Sequence, residues 1–181
     1  MVDLILGKQK STVIGNGKTG VLYRTFPKKL QEKIKSYIKK GGDLIITGQY
    51  VVSDLYGEYA DDEDRGFAEQ VLGLIPSDGD RPRSAYLEIA DASSGFPRTE
   101  YSYSNTLNDK IYIVEHPDYL EPTGNTVVET LMRFQDNSAP GAVLIKNGRS
   151  KIFVMTVPLE TFRDRSQKDE IMKKAFELIS R

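Results

Sequence analysis

The chain contains no cysteine, which excludes disulfides, thiolate metal sites and a cysteine nucleophile together. Charge of one sign is also missing. Lys and Arg total 25 against 26 Asp and Glu, a net charge of −1, so no field favours nucleic acid or an anionic membrane as a partner. No apolar run approaches the roughly 18 residues of a membrane span. No basic-then-apolar leader pattern follows Met1. His116 is the single histidine. It stands beside Pro117 in a loop, where a histidine reads as structural rather than catalytic. No cofactor or metal set is expected, and no internal repeat or low-complexity tract interrupts the chain.

What is present suits one globular domain spanning 1–181. The chain of 181 residues is 39% apolar and 28% charged, ordinary for a folded domain that buries a full core. It opens directly on the apolar run at residues 2–6. A start inside a strand reads as a piece of a longer polypeptide, so neighbouring domains are expected partners. The polar stretch 8–24 reads as a loop. Its Gly15-Asn16-Gly17-Lys18-Thr19-Gly20 suggests a phosphate loop, but the first glycine position falls on Thr12 and no helix opens after it.

The centre of the pattern is residues 41–55. A helix is expected over 27–40, with Pro27 in its first turn and Leu30, Ile34, Tyr37 and Ile38 forming one apolar stripe. Gly41-Gly42 stops it, and 43–47 reads as a buried strand. Helix, double glycine and strand is the α-to-β joint of a parallel sheet, and ligands gather at the carboxyl ends of such strands. Here that end is Thr47, Gly48, Gln49, Tyr50, Ser53 and Asp54. The acidic run Glu58, Asp61, Asp62, Glu63 and Asp64 suggests calcium, but EF-hand spacing is not met, and a helix N-terminus explains it.

Further on, 85–90, 110–114 and 127–134 read as strands, and 91–108 as a loop or edge strand with Tyr101 and Tyr103 alternating. Asn147-Gly148 between 142–145 and 151–155 is a tight hairpin signal. Ser166 and Asp169 suggest the capping box of a last helix, with Ile171, Met172, Ala175, Phe176 and Ile179 inward. Leu30, Ile34, Ile38, Leu44, Ile46, Ile152, Val154, Ile171, Ala175 and Phe176 are the expected core.

The pieces at 3–8, 37–48, 53–55 and 157–162 together resemble the class I glutamine amidotransferase-like, flavodoxin-like domains of secreted bacterial proteins labelled xanthan lyase or golvesin-type. The resemblance implies a three-layer α/β sandwich with a mainly parallel sheet and a C-terminal antiparallel hairpin. It also implies a secreted, periplasmic or cell-surface location. Glutaminase chemistry requires a cysteine, a histidine and an acid. The nucleophile turn falls at Gly48-Gln49-Tyr50 and the histidine–acid element at Pro158-Leu159-Glu160. Cysteine and histidine are both missing there.

The expected function is therefore a non-catalytic module of a larger exported protein that binds or processes cell-surface polysaccharide, with Thr47, Gly48, Gln49, Tyr50, Ser53 and Asp54 as a relic pocket. The alternative is a polysaccharide lyase or hydrolase using Asp54 and Glu160, since glycoside chemistry takes two carboxyls roughly 5–10 Å apart. A small-ligand or flavin binder is a third reading.

Overall fold

A computed structural model describes residues 1–78, 83–106 and 113–180. In chain order the elements are β1 (Val2–Gly7), α1 (Lys28–Lys39), β2 (Leu44–Gly48), α2 (Asp62–Phe67), β3 (Leu74–Pro76), β4 (Tyr86–Ile89), β5 (Glu100–Ser102), β6 (Leu120–Pro122), β7 (Val127–Phe134), β8 (Pro140–Asn147), β9 (Ser150–Met155) and α3 (Arg165–Ser180). Seven strands form one curled sheet in the order β1-β2-β9-β8-β7-β4-β5, and β3 with β6 makes a separate small ribbon.

Among the described residues, only β1–β2 and β2–β9 pair in parallel. The remaining pairings of the main sheet, β9–β8, β8–β7, β7–β4 and β4–β5, are antiparallel. The mainly parallel, flavodoxin-like three-layer sandwich expected from the sequence is thus corrected to a half-barrel of mixed strands with few helices. The physical reason is connection length. A parallel pair needs a crossover of a dozen or more residues, usually helical, whereas short connections return the chain antiparallel. Between β1 and β2 the crossover helix α1 exists. From β7 through β9 it does not, and Gly148, with φ of 60°, closes the β8–β9 turn.

Period-2 alternation sends neighbouring residues to different apolar clusters. Leu44, Ile46, Val143, Ile145, Ile152 and Val154 pack with Ile34 and Ile38 of α1 and with Phe26 and Phe67. Ile45, Ala142, Leu144, Phe153 and Met155 pack with Ile171, Ala175 and Ile179 of α3 and with Tyr101, Tyr103 and Phe162. The helix α1 stops where expected. Gly41 has φ of 83°, and a Cβ on Gly42 would lie 2.3 Å from the Tyr37 ring. Leu44 is fully enclosed.

Three further expectations are corrected. Phe176 is 38% exposed on the outer side of α3, and Leu30 is only partly buried against its cluster. The helix α3 begins at Arg165, so Ser166 lies inside its first turn, where its hydroxyl accepts from Arg98 at 3.0 Å. The strand expected at 110–114 falls largely outside the described residues. The acidic run behaves as read. Asp61 caps α2, and Asp61 and Asp64 satisfy each other's backbone N–H groups in a capping box. The buried Asp64 also accepts from Gln31 at 2.6 Å and Lys28 at 2.7 Å, which ties α2 to α1.

Candidate functional site at the ends of the parallel strands

The chain leaves β2 through a close approach. A Cβ on Gly48 would lie 2.8 Å from Leu6 Cβ, so β1 and β2 meet here at a spacing only glycine allows. Gln49 N then donates to Gly7 O at 2.8 Å. After the turn, Val51 and Val52 are buried and a 3-10 turn follows at Ser53–Leu55. Backbone N–H groups freed at this turn and in the loop after β1 need acceptors, and two buried carboxylates provide them.

Asp54 is the first. Its carboxylate accepts from Ser11 N at 2.7 Å, Ser11 Oγ at 3.0 Å and Thr25 N at 2.9 Å. One side chain therefore fastens both ends of the long loop that follows β1. Asp118 is the second. It accepts from Val52 N at 2.6 Å and Ser53 N at 2.8 Å. Burial pushes its carboxyl up to about 6, partly opposed by those hydrogen bonds and reinforced by the charge of Asp54. Asp118 was not among the residues singled out from the sequence. Its only signal is an acid two residues after the lone histidine, in a segment whose acceptor role depends on chain 66 positions away. A third tie at this end joins Lys8, just past β1, to Glu115 at 2.7 Å.

Outside this clasp lies an open polar cleft of about 520 Å³ lined by Lys10, Ser11, Ser53, Asp54, Glu58 and Tyr59. The six expected ligand residues divide around it. Ser53 and Asp54 line the cleft. Tyr50 stands at its flank, with Lys10 Nζ 5.0 Å from the ring centre. Burial raises the Tyr50 phenol, and the Gln49 amide lowers it by a smaller amount. Thr47, Gly48 and Gln49 are buried and do not line the cleft. Thr47 Oγ1 and Gln49 Nε2 have no hydrogen-bond partner at bonding distance among the described residues, while Gln49 Oε1 accepts from Glu115 N at 3.4 Å.

Glu160 occupies the 3-10 turn Leu159–Thr161 after β9, and its carbonyl accepts from Lys168 Nζ at 2.9 Å. It leaves its strand at the same end as Asp54. The chain around it packs into the other layer, since Leu159 and Phe162 belong to the cluster under α3 while Leu55 belongs to the one under α1. The cleft's second carboxylate is Glu58, not Glu160. Among the described residues no group of three or more His, Cys, Asp or Glu could hold a metal ion, and no helix is long and apolar enough to cross a membrane.

No protein-family model and no curated protein matches the chain. Solved structures share its fold. A β-galactosidase from Bacillus circulans sp. alkalophilus is 14% identical, with a TM-score of 0.53 over 83% of this chain and 21% of that one. A cold-adapted β-galactosidase from Rahnella sp. R3 is 15% identical, with a TM-score of 0.52 over 83% and 21%. A cytoplasmic protein from Salmonella typhimurium is 18% identical, with a TM-score of 0.52 over 83% of this chain and 60% of that one. The chain spans about a fifth of the β-galactosidases. The resemblance to glutamine amidotransferase-like, xanthan-lyase or golvesin-type domains is corrected by these matches, two of which are β-galactosidase chains and which indicate no amidotransferase.

Proposed function

We propose that the chain is a carbohydrate-processing domain, one unit of a larger glycoside hydrolase-type protein, and that its polar cleft takes a saccharide. The observation that carries this reading is the cleft itself. Ser11, Ser53, Asp54, Glu58 and the aromatic Tyr59 line one opening. Convergent polar groups beside an aromatic ring are what a hydroxyl-rich ligand with apolar C–H faces requires. The fold shared with β-galactosidases over about a fifth of their length supports a domain role in such a protein. An exported location, with neighbouring domains as partners, belongs to the same reading.

Asp54 in this account binds and braces. Its carboxylate has roughly four lone-pair sites, and three hydrogen bonds already engage it. The second reading makes the domain a hydrolase or lyase using Asp54 with Glu160. The presence of Asp54 in the cleft favours it. It requires Glu160 to reach within roughly 5–10 Å of Asp54 across the strand ends.

Calorimetric titration with neutral galacto-oligosaccharides separates the two. The binding reading expects saturable binding that Tyr59→Ala abolishes, with no new reducing ends formed. Binding unchanged by Tyr59→Ala overturns the cleft assignment. Reducing-end release that both Asp54→Asn and Glu160→Gln remove, with the fold intact, establishes the second reading.

A further inference from the structure

The opposite end of the parallel strands carries a cleft of different chemistry. It has a volume of about 490 Å³ and lies between the C-terminus of α1 and the β8–β9 turn, lined by Ile38, Lys39, Lys40, Asn147, Gly148 and Arg149. Its walls are pinned together. The buried Ser150 hydroxyl donates to Ile38 O at 2.9 Å, and Lys151 N donates to Asp43 Oδ1 at 2.8 Å. Asn147 Nδ2 donates to Val71 O at 2.9 Å. The two walls turn at Gly41 and Gly148, with φ of 83° and 60°, and a Cβ on Gly41 would rest 3.6 Å from Arg149 Cβ.

No carboxylate among the described residues pairs with the charges of this cleft. Lys39, Lys40 and Arg149 are exposed, and none forms an ion pair among the described residues. Neighbouring cations behave differently. Lys146 faces Glu129 at 4.0 Å, and Lys151 Nζ donates to Leu178 O at 3.3 Å. A helix C-terminus favours a cation in its last turn, which accounts for Lys39. It does not account for Arg149, which comes from a separate hairpin and adds a third like charge to the same opening. The chain as a whole is at −1, so this concentration is local rather than a consequence of general basicity.

We propose that this cleft is an oxyanion site for an anionic saccharide, its carboxylate or sulfate groups seated between Arg149 and the two lysines. A guanidinium grips such a group with two parallel N–H bonds, and the ammonium groups add point charge. The site is separate from the Tyr59 cleft, and only the saccharide nature of its ligand rests on the carbohydrate reading.

The test uses the whole chain, titrated with oligogalacturonate, neutral galacto-oligosaccharide and inorganic phosphate at low and high salt. The triple variant K39Q/K40Q/R149Q changes exposed side chains only and should stay folded, melting within about 4 °C of wild type, the small loss expected of removing a cation from the last turn of α1. Oligogalacturonate should bind at low salt and weaken by about tenfold or more in the triple variant, the sum expected of several exposed charge contacts. High salt should weaken it likewise. Neutral sugar should bind the triple variant as it binds wild type, and Tyr59→Ala should leave oligogalacturonate binding in place. Equal oligogalacturonate affinity in wild type and triple variant overturns the site, as does absence of binding at low salt. Phosphate binding as tight as oligogalacturonate overturns the saccharide assignment. Loss of neutral-sugar binding alone bears on the other cleft and leaves this one standing.

Discussion

The parallel edge of the sheet and its antiparallel half are stabilised by different means. At the ends of β1 and β2 the chain turns away from the sheet, and buried carboxylates collect the N–H groups of Ser11, Thr25, Val52 and Ser53. Around β4, β5 and β7 such ties also occur, with Asp136 accepting from Arg83 N and Ser84 N and the Gln167 amide oxygen from Ser102 N, but a second device is added. Aromatic rings fill that layer edge to face, with Tyr119 5.1 Å from Phe134 and Tyr103 6.4 Å from both Phe134 and Phe162. Parallel strands depend on long crossovers whose ends leave backbone groups unpaired, so polar residues accumulate there. Antiparallel strands satisfy one another locally and leave side-chain packing as the main variable. The cleft proposed to take a saccharide lies at the parallel edge.

The largest effect expected of a single change is in the antiparallel half. Phe134→Ala removes a fully buried ring shared by Tyr103 and Tyr119 and should cost about 3–5 kcal/mol in denaturant unfolding. A loss under about 1 kcal/mol would mean the aromatic layer is not what holds this half.

The next effect belongs to the parallel edge and depends on pH. Burial raises Asp118 from 3.8 to about 6, so the folded state binds its proton more tightly than the unfolded chain. That contribution is fully present below the unfolded value near 3.8 and is lost as pH rises through about 6. It amounts to about 3 kcal/mol. Unfolding free energy should carry this falling component between those pH values, and Asp118→Asn, which keeps an acceptor oxygen, should remove it. An unchanged pH profile in Asp118→Asn would contradict the shift.

Asp54→Ala leaves the N–H groups of Ser11 and Thr25 without their acceptor and should cost about 2–3 kcal/mol, with Asp54→Asn milder. The smallest effect is at the other sheet edge. Arg98 grips Glu170 through two bonds at 2.7 and 3.1 Å in the open, and Arg98→Ala should cost no more than about 1 kcal/mol. A larger loss there than at Asp54 would reverse the comparison.

Local signals decide which parts of this could be read beforehand. The stripe of α1, its stop at Gly41 and Gly42 and the hairpin at Asn147-Gly148 all rest on neighbours in sequence, and the parallel pairing of β1 with β2 follows from the helix between them. The antiparallel half does not. β4 finds β7 across more than forty residues, with Leu87 opposite Phe134, and β3, β5 and β6 are three residues each, too short to show a period. A mainly parallel sheet follows if every strand is treated like β2, and the strands after β6 have no helices to make that true. Of the expected ligand residues, Ser53 and Asp54 line the cleft, a placement that follows from their position just after a buried strand. Asp118 was not legible, because what makes it an acceptor is the placement of Val52 and Ser53. Nor does strand alternation reveal that the chains carrying Asp54 and Glu160 pack into different layers.

The central claim, that a saccharide occupies the cleft at the parallel edge, is tested most directly by mapping amide chemical shifts during a galacto-oligosaccharide titration. The account predicts saturable shifts centred on Ser11, Ser53, Gly57 and Tyr59, which line that cleft, and their disappearance in Tyr59→Ala. Saturable shifts centred instead on Tyr86, Thr99 and Ser102 at the antiparallel edge, or no shift at any of these amides, would contradict it.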